Sequence, residues 1–406
     1  MQNRNVLISG AGIAGTALAY WLRRHGFRPT VVERASALRE GGYKIDVRGA
    51  ALDVISRAGV LDAVRAQRTD VQGGSIVNAA GKRVTTMDGD TFGGRAGHDA
   101  EILRGDLNRI LYDLTVEGAD GAADGVEYLF GDSIASATET AEGIEVVFDS
   151  GAQRVFDLLV GAAGLHSQTR ALVFGPEERF LRDLGYYVSI YSVPNHLGLD
   201  RWELTYVSPR RTALTYSTAK DTGAKAMFLF ASEPLEYERH DVSQQKKLLA
   251  EAYAGESWEV PRLLAALDEA PDFYFDSLSQ AHLDHWSKGR TVLVGDSVYC
   301  ASPASGQGTS LALVGAYVLA GELAAAGGDH RAGFAGYERA MRRFAEENQK
   351  LGPSNIKHMV LRTKRQISVQ LTVLSLLGRL PGKERMMAKV MEPIQKAANS
   401  ITLKDY

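Results

Sequence analysis

Three glycines, Gly10, Gly12 and Gly15, close the apolar run "NVLISGAGIAG", and an acid, Glu33, follows eighteen residues after the last of them. Those types at that spacing suit a pyrophosphate. Gly10 permits a tight turn, Gly12 lets the backbone approach a phosphate, and Gly15, beside Ala14, lets a helix pack closely on the strand with its free N–H groups toward the anion. Glu33 would accept hydrogen bonds from the ribose hydroxyls of an adenosine, and an acid there disfavours a 2′-phosphate. The motif alone leaves open which dinucleotide is bound. Far along the chain a second stretch, "VLVGDSVYCASPASGQGTSLAL", carries Asp296 and then Gly306, Gln307, Gly308 and Thr309 at the mouth of a helix. The unpaired N–H groups of that helix start suit an acceptor that gains negative charge. Read alone, Asp296 is equally a turn or helix cap.

Other chemistries find little support. No zinc-ligand spacing, G-x-S-x-G elbow or phosphate-transfer motif is visible, and His282 and His285 in "HLDHW" have nothing nearby to complete a metal site, which points to surface or capping roles. Cys300 is the one cysteine, so no intrachain disulfide forms and the thiol reads as a small buried hydrophobe.

The elements that must position these residues follow from periodicity. "NVLISGAG" is a buried strand, "IAGTALAYWLRRHG" a helix stopped by Gly26, and "PTVVER" a second strand, which together make a βαβ unit. "AALDVISRAGVLDAV" and "DLNRILYDLTVEG" are helical, and "GGSIVNAAGKRVTTM" is a hairpin through Gly81. Short strands occupy Val126 to Val160 and lead into "DLLVGAAG". "GYYVSIYSVP", "WELTYVS", "RTALTYSTA" and "AKAMFLFAS" then alternate with no helix between them, which predicts an antiparallel sheet rich in tyrosine. Helices are expected at Val242–Ala254 and Glu259–Leu267, then the strand "FYFDSLSQ". Helices also cover Phe334–Gln349 and most of Asn355–Ala398, punctuated by Pro353, Pro381 and Pro393. "ISVQLTVLSLLGRL" is too short to span a bilayer and reads as a packed C-terminal helix.

With 406 residues, 45% hydrophobic and 23% charged, the chain has material for two or three domains. A net charge of −3 gives no general positive potential for nucleic acid or an anionic membrane, and the basic run Arg362–Arg365 reads as a solvated helix face. The short polar start leads straight into a strand, so no signal peptide is expected and a cytoplasmic setting fits.

With "GAGIAG…VVER", "EILRGDLNRIL", "DLLVGAAGLHSQTR" and "GRTVLVGDSVYCASPASGQGTSLAL" in this order, the sequence resembles the single-component FAD-dependent aromatic hydroxylases, the p-hydroxybenzoate hydroxylase-like class. Within that class "GGYKIDVRG" and the chain length look most like the tetracycline-inactivating and polyketide-tailoring monooxygenases. The resemblance implies an α/β fold in which a discontinuous, Rossmann-like FAD-binding domain (1–70, 100–180 and 285–350) holds an inserted antiparallel substrate domain (71–99 and 181–284), followed by a helical segment (351–406). It implies noncovalent FAD, with Glu33 on the ribose, Arg34 beside the adenine, Arg104 at the flavin phosphate or ribityl chain, and Asp296 on the ribityl chain. Pro303 and Gly306–Thr309 would wrap the isoalloxazine, so the two glycine-bearing stretches would grip one ligand. NADPH or NADH would visit transiently as reductant, and one oxygen atom of O2 would go to a bulky aromatic or polyketide-like molecule, tetracycline-like antibiotics among the candidates. That substrate would lie between the flavin and the antiparallel sheet, against Asp46, Arg48 and Tyr216, with the aromatic-rich strands from Gly185 to Ser232 as walls for a flat molecule. No catalytic acid or base is assigned. Three positions depart from the pattern: Ala163 where many relatives carry an acid, Tyr299 in place of a histidine, and Thr309 in place of an asparagine or valine. A flavin dehydrogenase or reductase, or a non-catalytic flavin-binding protein, would share these motifs. The sequence leaves the substrate, the choice of nicotinamide and the oligomeric state open; a monomer is compatible.

Overall fold

The computed structural model describes residues 2–39, 41–89, 95, 98–116, 125–220, 222–377 and 383–406. Asn5–Ser9 forms a strand because its apolar run is buried on both faces, with Val6, Leu7 and Ile8 wholly inaccessible. It is a middle strand of a six-stranded sheet ordered Ser287–Lys288, Thr291–Leu293, Leu158–Gly161, Asn5–Ser9, Arg28–Glu33 and Glu127–Phe130. All pairs but the first are parallel. The helix Ile13–Arg24 leaves the first strand at the glycine turn and packs on Gly308–Ala325, where Trp21 meets Tyr317 edge to face at 4.9 Å.

Gly308–Ala325 is long and apolar enough to cross a membrane, yet 72% of it is buried inside the fold. Apolar on all sides, it is a core helix. The short strands expected between Val126 and Val160 resolve into Glu127–Phe130 and Leu158–Gly161 of the main sheet, with a separate antiparallel trio between them, Ile134–Glu139, Ile144–Phe148 and Gln153–Phe156. The trio packs Ile144, Val146, Phe148 and Phe156 against Leu7, Val32 and Leu159.

The second large sheet has seven strands, ordered Tyr274–Ala281, Leu181–Val193, Ala224–Ala231, Arg211–Tyr216, Trp202–Ser208, Gly73–Val77 and Arg83–Asp88. Every pair is antiparallel except Trp202–Ser208 with Gly73–Val77. The side-chain period of two sorts its residues cleanly. Tyr187, Tyr191, Phe228, Phe230 and Phe275 face the helices Val242–Ala252 and Val260–Ala265, where they form a core with Tyr253, Leu249 and Leu263. Val188, Ile190, Val207, Leu214, Met227 and Leu229 face the other way, into a cavity. This corrects the expectation of aromatic walls for a flat ligand: those rings are buried against helices, and the ligand-facing side is mostly aliphatic.

The C-terminal region differs from its sequence reading in two further ways. Pro353 and Pro393 lie inside the helices Leu351–Met359 and Lys383–Ala398 and do not end them, and Pro381 lies outside the described residues. The helix Lys364–Leu377 leaves Val369, Val373 and Leu376 exposed, so it is packed on one face only.

Candidate active site

A cavity of about 650 Å³ runs from the glycine turn after the first strand, past Glu33, Arg34, Arg104 and Asp296, to the aliphatic face of the seven-stranded sheet. At the near end only glycine fits the backbone. Gly10 has φ +111°, and a Cβ on Gly15 would stand 1.9 Å from the carbonyl oxygen of Gly10. Gly12 opens the turn to the guanidinium of Arg104, with Nη2 3.5 Å from where a Cβ would be. Asn108, which sequence reasoning passed over, braces the turn: its Nδ2 donates to the Ala11 carbonyl at 2.9 Å and its Oδ1 accepts from the Thr16 hydroxyl at 2.9 Å.

The Glu33 carboxylate is fixed at the rim of the cavity by two backbone donors, Ala11 N–H to Oε2 at 2.9 Å and Ala35 N–H to Oε1 at 3.0 Å. Each oxygen keeps a further lone pair for a hydroxyl. Arg34 and Ala14 also line this end, while Gly15 lies behind it in the helix–strand contact.

At the far end Asp296 opens the four-residue helix Asp296–Tyr299 and faces the cavity beside Pro303, Gly306, Gly308 and Thr309. Burial pushes the Asp296 carboxyl up, against the opposing pull of the Cys300 thiol and Arg104. The helix beginning at Gly308 directs its free N–H groups into the same space. Gln307 is different: it is wholly buried off the cavity surface, and neither its amide nitrogen nor its oxygen has a partner. Ala163 lines the cavity without a polar group, and the adjoining Gly164 N–H donates to Ser297 Oγ at 3.1 Å, docking this loop on the Asp296 helix. Tyr299 points away, with its hydroxyl against Tyr337 at 3.1 Å.

This donor set fits FAD: a turn without side chains for the pyrophosphate, an acid at the rim with free lone pairs for ribose hydroxyls, an arginine between, and a helix start at the other end. Residues 3–350 match the FAD binding domain family. The chain belongs to that family. It is 35% identical over 405 residues to a flavin-dependent monooxygenase of Legionella longbeachae serogroup 1 (strain NSW150), covering 100% of this chain and 99% of that protein. The crystal structure of tetracycline destructase Tet(51) superposes with a TM-score of 0.85 at 34% identity over 99% of both chains, and that of tetracycline destructase Tet(55) with 0.83 at 36% over 100% and 99%. The chain is accordingly an FAD-dependent monooxygenase, an oxidoreductase of mixed α/β fold.

Of the three residues expected at this flavoenzyme's substrate, Asp46 and Tyr216 line the cavity and Arg48 does not. Arg48 is 3% exposed and turned behind the wall, where it donates to Asp46 Oδ2 at 2.6 Å. Sequence reasoning missed Lys44, Glu101 and Glu203, which share the cavity surface with Asp46. Their signal was faint, since "GGYKIDVRG" puts Lys44 and Asp46 two apart on a strand and so on one face.

His166, from the loop after Ala163, also faces the cavity and was not singled out. Its Nδ1 lies 3.2 Å from Glu177 and its Nε2 3.1 Å from Asp276. Burial lowers its proton affinity, but these two carboxylates outweigh burial and raise it above the usual imidazole value. Among the described residues no group of three or more His, Cys, Asp or Glu is placed to hold a metal ion.

Proposed function

We propose that this monooxygenase takes reducing equivalents from NADPH or NADH and transfers one oxygen atom of O2 to a bulky aromatic or polyketide-like molecule, tetracycline-like compounds included. The observation that carries the reading is the continuity of the cavity: one space joins the glycine turn to the sheet wall. Bound FAD supplies the redox chemistry, accepting hydride from the nicotinamide and activating O2.

The chain's residues do the rest. Gly10, Gly12 and Ala14 would take the pyrophosphate, Glu33 the ribose, Arg34 the adenine, and Arg104 and Asp296 the phosphate and ribityl chain between the two ends. Pro303, Gly306, Gly308 and Thr309 would border the ring system, and the helix N–H groups there would stabilise negative charge developing on it. The aliphatic wall from Val188 to Leu229 keeps water from the reacting face, and His358, Met359 and Gln370 close the cavity from the C-terminal helices. The relatives named above support the substrate class, as two of them are tetracycline destructases by name.

The test is product formation. Phenols, anthraquinones and tetracyclines are offered with NADPH or NADH under 18O2, and products are weighed. A gain of one labelled oxygen atom is expected. Reduced product formed without O2 would replace this reading with a reductase, and turnover of small monocyclic phenols alone would remove the bulky substrate.

A further inference from the structure

The aliphatic wall changes character at one corner. Glu203 and Tyr216 are directly opposed in the register of strands Trp202–Ser208 and Arg211–Tyr216, both facing the cavity. Lys44, from the strand Lys44–Val47 of a separate two-stranded sheet, reaches over them. Its ammonium donates to Glu203 Oε2 at 2.8 Å and stands 4.7 Å above the Tyr216 ring, while its backbone N–H donates to the Tyr216 hydroxyl at 3.3 Å. The other Glu203 oxygen accepts from the Thr205 hydroxyl at 3.1 Å. Burial lowers the proton affinity of Lys44, but Glu203 and Glu101 outweigh it and hold the group well above its ordinary value, so it remains a charged donor at any working pH.

A buried ion pair is a poor device for stability, because desolvating both charges offsets their attraction. The strand carrying Lys44 is already tied by its ladder to Ala100–Leu103 and, just past its end, by the Arg48 backbone N–H donating to Ser310 Oγ at 3.2 Å. The rest of the wall shows that apolar side chains are accommodated on this face. A cavity-facing donor and acceptor fixed 2.8 Å apart therefore point to a ligand.

We propose that Lys44 and Glu203 recognise a carbonyl and a hydroxyl in 1,3 relation on the substrate, a β-hydroxy enone or enolised β-dicarbonyl. The proposal rests on the aromatic or polyketide-like substrate class proposed above and narrows it. Such oxygens share an internal hydrogen bond with a separation on the order of 2.5–3.0 Å, matching the spacing of the protein pair. Laid alongside that pair, the hydroxyl turns its one proton from the internal bond to the Glu203 carboxylate, and the carbonyl it leaves accepts from the Lys44 ammonium instead. No net charge is brought in. A methyl ether in place of the hydroxyl removes the donor and leaves Glu203 short of one partner.

The FAD-loaded protein is titrated with 1,8-dihydroxyanthraquinone, 1,8-dimethoxyanthraquinone and unsubstituted anthraquinone, and binding is read from the change in flavin absorbance. The dihydroxy compound is expected to bind about ten- to a hundredfold more tightly than the other two, the range of a hydrogen bond to a charged group. Unsubstituted anthraquinone separates the lost bond from any clash of the methyl groups. In a Lys44→Gln/Glu203→Gln double variant that keeps its flavin and melting temperature, the preference should collapse to near unity. Equal binding of the three compounds by the native protein overturns the proposal, as does a preference that survives in the double variant, and both leave the aromatic substrate class standing. If none of the three perturbs the flavin, the polycyclic substrate class fails and takes this proposal with it. Should the double variant lose FAD, the native comparison and Glu203→Gln alone decide the matter.

Discussion

The two ends of the cavity recognise a ligand in different ways. At the glycine turn the protein would meet its cofactor with backbone, and the constraint is steric: a Cβ on Gly15 would stand 1.9 Å from a carbonyl oxygen, so no other residue fits without moving the chain. At the seven-stranded sheet it would meet the proposed substrate with alternate side chains, and the constraint is only which of two faces looks inward. Backbone recognition leaves glycines at fixed spacing in a sequence. Face recognition leaves a period of two that reads the same whichever face holds the ligand.

The sharpest way to break that contrast is to compare adjacent residues of one strand. Phe228 is fully buried against the helices, in contact with Tyr253 edge to face at 4.8 Å, whereas Met227 lines the cavity. Phe228→Ala should destabilise the protein by about 3–5 kcal/mol and leave substrate preference unchanged. Met227→Ala should lose only about 1–2 kcal/mol, because its side chain is already partly open, but it should shift which aromatic compounds stimulate the proposed oxidation of NADPH or NADH. Denaturant unfolding and a substrate panel on both variants measure this. A change of preference in Phe228→Ala with none in Met227→Ala would invert the two faces.

At the other end the expected effect is smaller and concerns the cofactor. Glu33→Ala removes a carboxylate held by the Ala11 and Ala35 N–H groups and, on the proposed binding mode, would leave the ribose without its acceptor. FAD affinity should fall about ten- to a hundredfold, the equivalent of roughly 1.5–3 kcal/mol, with circular dichroism unchanged. Unaltered affinity in a flavin titration would take Glu33 out of the site and make the rim acid a brace for the turn alone.

This contrast also explains how much was readable beforehand. The βαβ start, the two glycine-bearing stretches and the antiparallel sheet are local patterns, and the structure places Gly10, Glu33, Arg104 and Asp296 around one cavity as adjacent features of it. The inward face of the sheet was not readable, because it depends on where Val242–Ala252 and Val260–Ala265 pack: Tyr187, Tyr191, Phe228 and Phe230 serve those helices, while Tyr216 faces the cavity. Arg48 shows the same limit at a single residue. Its place on the strand after the adenosine acid suggested a ligand contact, yet it follows Asp46 by two positions and is spent on holding that carboxylate. Lys44 and Glu203 come from strands 159 residues apart, and only the folded register brings them together.

His166 belongs to both regions, which makes it a fine probe of their coupling. Its loop follows the strand Leu158–Gly161 of the six-stranded sheet, and Asp276 is on the strand Tyr274–Ala281 of the seven-stranded sheet. Glu177, the second carboxylate on the ring, is also bonded by Arg239; His166 and Arg239 overcome burial and hold it down at about 2. Glu177 is therefore ionised across the range in which the imidazole titrates. Because the proton affinity of His166 is raised in the folded state above the usual 6.5, its contribution is fully present below that pH and is lost as pH climbs through the higher folded value. The native protein should exceed His166→Asn in stability by about 1.5–2 kcal/mol near pH 5.5, the low end of the range of a hydrogen bond to a charged group, with the gap closing toward alkaline pH. Thermal unfolding of both proteins at closely spaced pH values reads the gap directly. A gap that stays constant with pH would show that His166 is held neutral between the two sheets, and a gap that widens as pH rises would reverse the sign of the coupling.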